Sequence, residues 1–327
     1  MRSAFCLSRT QSPWGERVWP ILLVVLAITV VTELAAAGLF AAVVVLLAGH
    51  VGLSPLPFTL TTVWMANTAS LLLPVSNLTN LLAAHELPGM TPLGFAALMA
   101  VPAAVAVIVP AALLFVVYRR QLMVRYEPSA TTKADDRMLL VASGATVVIL
   151  VPLLVSGLPV WIPALAAALV LGGFFAVRRP AVLRFALVPW QLILLAAGLF
   201  LVVAAAHSLG LGAVLSAVSG KGDGPLDLLQ LSASGALGSN LVNNLPAYLA
   251  LEPVAGNPLR IAALLIGVNA GPLVTPWASL ATLLWHDRLK ALDVTISWPR
   301  YCLLGLVAAP VTVAAATLAL ALGLASK

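Results

Sequence analysis

The sequence predicts an all-α polytopic membrane protein built from inverted-topology repeats, with broken helices and a re-entrant hairpin. Three observations carry that prediction. The 327-residue chain is 62% hydrophobic and only 9% charged, where a soluble domain averages about 25% charged. Its apolar runs are long and uninterrupted, whereas a transmembrane β-barrel shows roughly ten-residue alternating segments. Two stretches, 67–82 and 269–284, also repeat one another without a gap. They match at Asn67/Asn269, Leu71/Leu273, Pro74/Pro276, Leu78/Leu280, Leu81/Leu283 and Leu82/Leu284. The leucines carry little in so apolar a chain; the shared Asn and the shared mid-membrane Pro carry the match.

Taken in order, Arg2, Arg9 and Arg17 precede a first apolar run, 19–37. Ala35-Ala36-Ala37 imitates a cleavage site, but the run is as long as a span. Glu33 also falls where that region should be small and neutral, so a retained span is expected. Further spans are read at 39–53, 59–84, 92–118, 138–156, 159–177 and 188–206. A polar re-entrant pair follows at 228–251, then spans at 259–285 and 300–324. At roughly 20 residues per span the length suits about eight to ten crossings. Loop 119–137 carries Arg119, Arg120, Arg125, Lys133 and Arg137 and divides the chain. The expected organisation is a first, truncated repeat at 1–118, a cytoplasmic linker at 119–137 and a second repeat at 138–327.

The net charge of +6 needs no nucleic acid to explain it. Loops 119–137, 178–189 and 286–299 hold an Arg/Lys excess that places all three in the cytoplasm. Counting crossings from them, 59–84 runs outward and 259–285 inward, so the two matched stretches cross in opposite directions. Inverted topology thus follows from charge as well as from the match. Cys6 and Cys302 are too few and too far apart for a disulfide framework or thiolate metal site. No metal site or cofactor is expected. No phosphate loop or nucleophile elbow is present, which argues against an ATPase or a membrane enzyme.

Within a bilayer, irregular backbone survives only against protein or a watery cavity. Pro74 and Pro276 each remove an amide donor and break a helix in mid-membrane. Around the first lie Asn67, Thr68, Ser70, Ser76, Asn77, Thr79 and Asn80; around the second, Asn269, Gly271, Thr275, Ser279 and Thr282. Freed carbonyls and half-helix ends there can coordinate ions or hydroxylated solutes. The alternative is a pair of kinked helices whose polar groups bond their neighbours. The segment 235–246 adds Ser239, Asn240, Asn243 and Asn244, closed by the helix-breaking Pro246. It suits a hairpin tip aimed at a site, although Gly235 and Gly238 also suit a close helix contact. Glu33 is the carboxylate expected inside a span, either a proton carrier or a side chain reaching for the interface. Glu252 is expected at the hairpin mouth in water. His207 and His286 read as interfacial, and Trp161 and Trp190 as interface anchors.

The segments 67–80, Pro189-Trp-Gln, Ser239-Asn-Leu-Val-Asn-Asn-Leu-Pro246, Gly271-Pro-Leu-Val-Thr-Pro276, Ser279-Leu-Ala-Thr-Leu-Leu-Trp285 and Thr295-Ile-Ser-Trp298 resemble the arsenite/antimonite efflux permeases. That family belongs to the ion-transporter superfamily, which also holds sodium–dicarboxylate symporters. The resemblance covers about residues 55–327. It implies a multi-pass plasma-membrane carrier exporting arsenite or antimonite, driven by the proton gradient. Membrane lipid would surround it, a soluble arsenite-stimulated ATPase joins some members, and a homodimer stays open. The chain departs from the pattern in two ways. Members are usually longer, with a polar hairpin in the first half too, where 38–53 holds only an apolar tail. Some also have Asp in place of Asn67 and Asn269. The competing readings are a sodium-coupled carboxylate symporter of the same superfamily and an inactive membrane remnant.

Overall fold

The computed structural model describes residues 54–87, 89–123, 136–154, 156–183, 190–290 and 292–325. Among them the secondary structure is helical, in twelve α-helices. Glu33, the first two expected spans and most of loop 119–137 lie outside the described residues.

The matched stretches fold as two helices broken at matching positions. The first is α1 (Leu56–Thr68), a break, then α2 (Leu78–His85); it leads into the long α3 (Pro92–Leu122). At the far end of the chain, α10 (Pro258–Ala270), a break and α11 (Leu280–Lys290) lead into α12 (Trp298–Ala325). The three boundaries around the break are those of the first displaced by 202 residues: 258 against 56, 270 against 68, 280 against 78; only the far ends differ, at 290 and 85. Helix α1 packs on α11 while α2 packs on α10. First halves therefore face second halves, and the two broken helices run antiparallel. Their continuations α3 and α12 also pack together.

Between these units lie α4 (Arg137–Leu154), α5 (Trp161–Arg178), α6 (Trp190–Ser208), α7 (Leu211–Val218), α8 (Pro225–Leu241) and α9 (Asn244–Ala255). Helices α3, α4, α5 and most of α12 are each long and apolar enough to cross a membrane. Helices α4 and α5 pack chiefly on one another, joined at one end by an Arg178–Asp136 ion pair at 3.2 Å. The span expected at 188–206 runs on to Ser208 and then bends by 85° into α7. Gly210, at φ 95°, supplies the left-handed residue of that bend.

Helices α8 and α9 are the expected hairpin, folded back on each other. Its two ends meet at Arg260, which is 4% exposed. Arg260 donates to the carbonyls of Gly222 (2.7 Å) and Gly220 (2.9 Å), which precede α8, and of Ala255 (2.8 Å), which ends α9. That clasp returns the hairpin to the end it started from. Arm α8 lies along α10 through small residues: a Cβ on Gly267 would collide with the Ser232 backbone, and one on Gly271 with Ala236. Only hydrogen allows the two backbones so close.

Candidate functional site

The candidate site is where the two broken helices cross. In the first break the chain leaves helical geometry at Leu73 (ψ 147°), just before Pro74, and re-enters a helix after Asn77. Asn77 caps α2 by accepting from the Thr79 amide at 3.3 Å. Its counterpart in the second copy, Ser279, caps α11 by accepting from the Thr282 amide at 3.1 Å. Both half-helices thus start at the crossing and bring positive dipole ends to it.

Asn269, fully buried, is the hub. Its Oδ1 accepts from Asn77 Nδ2 (2.7 Å) and Thr79 Oγ1 (3.2 Å), and its Nδ2 donates to Asn80 Oδ1 at 2.8 Å. The matched residue Asn67 sends its Nδ2 toward Thr282 Oγ1 at 3.5 Å and to the Val63 carbonyl at 2.9 Å. Thr282 is the counterpart of Asn80. The pairs 67–282 and 269–80 are therefore exchanged by a local two-fold relation, the mark of an inverted repeat.

The hairpin tip closes over the second break. Asn240 donates to the Gly271 carbonyl (2.8 Å) and accepts from the Thr275 amide (3.0 Å) and the Val274 amide (3.3 Å). Its own carbonyl accepts from Thr275 Oγ1 and Trp277 Nε1. Asn243 donates to the Trp277 carbonyl at 2.7 Å, and the Asn244 amide N–H to the Ala278 carbonyl at 2.8 Å. Pro276 sits in this non-helical stretch, as Pro74 does in the other.

Some expected residues stand elsewhere. Pro246 does not break a helix. The chain opens at Val242–Asn243, and Pro246 lies in the first turn of α9, where no intrahelical donor is needed. Ser239 spends its hydroxyl on the Gly235 carbonyl of its own helix at 2.8 Å, and Ser70 on Asn67 in the same way. Ser76 is half-buried in the turn Pro74–Ser76. Thr68 is buried with its hydroxyl unpaired. The glycine contact also holds: Gly235 meets α10 and Gly238 meets Ala247 of α9, alongside the asparagine contacts.

Sequence reasoning missed one group. Glu252 is half-buried rather than in open water. Glu86 and His207 are near enough for their charges to act on it, and both carboxylates act on Tyr248. The Tyr248 hydroxyl and His207 Nε2 are buried without partners. The spacing Tyr248–Glu252, one helical turn, was the available signal; the other members come from the residue after α2 and from α6 and left none.

The family model of citrate transporters matches residues 7–282, most of the chain. The chain belongs to the citrate transporter family. The match starts well before residue 55, so the likeness takes in the first apolar segments as well. An arsenical pump membrane protein of Escherichia coli is 31% identical over 283 residues, 77% of this chain and 63% of its own length. Those of strain K12 and of Yersinia enterocolitica are 33% and 32% identical with the same coverage. The chain spans 63% of the length of these relatives. Family and helices together make this a multi-pass plasma-membrane protein.

Proposed function

We propose that this chain is a secondary carrier that exports arsenite or antimonite at the expense of the proton gradient. The observation that carries the reading is the crossing, where two antiparallel broken helices meet through Asn67, Asn77, Thr79, Asn80, Asn269 and Thr282. Arsenite is a neutral trihydroxide near pH 7. Amide and hydroxyl groups supply the donors and acceptors that its hydroxyls need, without a compensating charge. The relatives' name, arsenical pump membrane protein, agrees with that substrate.

Coupling requires a group that takes up and releases a proton. Glu33 is one candidate, by sequence; the half-buried Glu252, on which the charges of Glu86 and His207 act, is the other. A carboxyl partly withdrawn from water holds its proton more readily than one in open water. A soluble ATPase partner and homodimer assembly belong to the same reading and are tested by pull-down and by mass in detergent.

The test is arsenite resistance of a pump-deleted host, with uptake into inverted vesicles under an imposed pH gradient. The parent is expected to accumulate arsenite uphill. Replacing the proton-carrying carboxylate, Glu33→Gln or Glu252→Gln, stops uphill uptake while arsenite exchange persists. Unchanged uphill uptake in both variants removes the proton role from both. The match to citrate transporters favours a second reading, a carboxylate symporter. Sodium-dependent citrate uptake without arsenite uptake would select it.

A further inference from the structure

Buried polar atoms without hydrogen-bond partners are rare and costly, and each calls for an explanation. Several of them gather beside the crossing: Trp64 Nε1, Thr68 Oγ1, Trp285 Nε1 and Tyr301 Oη. All four residues are at most 1% exposed. Trp64, Trp285 and Tyr301 belong to one buried cluster between α1, α11 and α12. The Tyr301 hydroxyl lies within reach of Thr282 and Trp64, neither contact meeting full hydrogen-bond geometry, and its ring is 6.0 Å from that of Trp285. Thr68 is one turn along α1 from Trp64, on the same face. Thr282 faces Asn67 across the crossing, so this set of orphaned groups adjoins the hydrogen-bonded amides.

The two sets are chemically complementary. An indole N–H only donates, and tyrosine and threonine hydroxyls both donate and accept. The crossing contributes amide oxygens. A small neutral polyhydroxyl solute offers oxygens to the first and O–H groups to the second. A polycarboxylate would draw instead on the positive half-helix ends at the crossing and on cationic side chains. Among the described residues the buried cation is Arg260, which is occupied with loop carbonyls at the hairpin's ends.

We propose that Trp64, Thr68, Trp285 and Tyr301 form a donor-lined pocket beside the crossing that holds the oxygens of a small, neutral polyhydroxyl substrate. This rests on the export reading above and names residues that would bind its substrate. The decisive variants remove one polar atom and keep the shape: Tyr301→Phe and Thr68→Val. The pocket predicts a roughly tenfold higher KM for arsenite in vesicle uptake, about the effect of one lost hydrogen bond to a bound ligand, with thermal stability unchanged or raised. Tryptophan fluorescence of the purified parent is expected to respond to arsenite, and Tyr301→Phe to shift that titration to higher concentration.

An unchanged KM with raised stability would make the orphans packing defects and overturn the pocket while leaving export intact. A parent that moves no arsenite yet shows the fluorescence titration, weakened in Tyr301→Phe, keeps the pocket and ends the export reading. No fluorescence response and no transport would end both. A response to citrate alone overturns the neutral ligand.

Discussion

At the first break, Asn80 Nδ2 donates to the Ser70 carbonyl at 2.6 Å and the Leu73 carbonyl at 3.1 Å. At the second, the residue in Asn80's place is Thr282, whose hydroxyl pairs with Ser279 at 2.9 Å, and the freed backbone is served by Asn240 and Asn243 from the hairpin. The same interruption, at the same positions of matched helices, is thus closed from within in one copy and from a separate element in the other. A threonine side chain is too short to reach back across the break, so the second copy depends on its hairpin. A broken helix in a membrane needs its backbone satisfied, but it does not matter to the backbone which chain segment does so. Reliance on a second element makes the geometry of the second break depend on where that element sits.

Removing the outside support tests this most severely. Asn240→Leu strips the Val274 and Thr275 amides of their acceptor and leaves the Gly271 carbonyl with the Leu273 amide alone. At about 1–3 kcal/mol for each buried group left unpaired, the loss is roughly 2–6 kcal/mol. The variant is expected to insert but to lose monodispersity in detergent at markedly lower temperature than the parent, with transport abolished. A variant as heat-stable as the parent would show that the second break holds itself.

A smaller asymmetry is expected between the matched asparagines. Asn269 has three cross-helix side-chain partners, Asn77, Thr79 and Asn80. Asn67 has one long contact across the crossing and one bond within its own helix. Asn269→Leu should therefore cost about 2–3 kcal/mol and Asn67→Leu under about 1 kcal/mol, since buried groups orphaned by a substitution dominate its cost. Parallel thermal scans of the two variants check the order, and equal losses would refute the hub role of Asn269.

Much of this architecture is legible in the amino-acid sequence. Pro74 and Pro276 mark breaks because proline removes a donor, and Asn67 and Asn269 fix the register because few other polar groups recur at matched positions. The hairpin is legible from the asparagines at 240, 243 and 244, which suit no lipid-facing surface. Arg260, the Glu86–His207–Glu252 group and the orphaned pocket at Trp64 and Tyr301 are not. Their members lie far apart in sequence, and a lone Arg or Trp at a helix position looks the same whether it clasps a loop, anchors at an interface or lines a cavity. The bend before α7 escapes the sequence for a related reason: Gly210 punctuates an otherwise apolar run, and only packing shows that the chain turns there.

The subtlest expectation concerns exchanging the two copies' own devices. Asn80→Thr gives the first break the residue of the second, and no hairpin serves that break among the described residues. The Ser70 carbonyl loses its side-chain donor while the Leu73 carbonyl keeps the Ser76 amide, for about 1–3 kcal/mol at the one left unpaired. The reverse change, Thr282→Asn, gives the second break a side chain long enough to reach the backbone that Asn240 already serves. Alone it should change stability little, because the carbonyl of Gly271 has a partner and the Thr282–Ser279 bond is lost in exchange. Its value appears in combination. Added to Asn240→Leu, it should restore part of the lost thermal stability, roughly 1 kcal/mol, the net worth of one recovered hydrogen bond. A double variant no more stable than Asn240→Leu alone would mean that the two breaks, though matched residue by residue, differ in backbone shape enough that one copy's solution cannot serve the other.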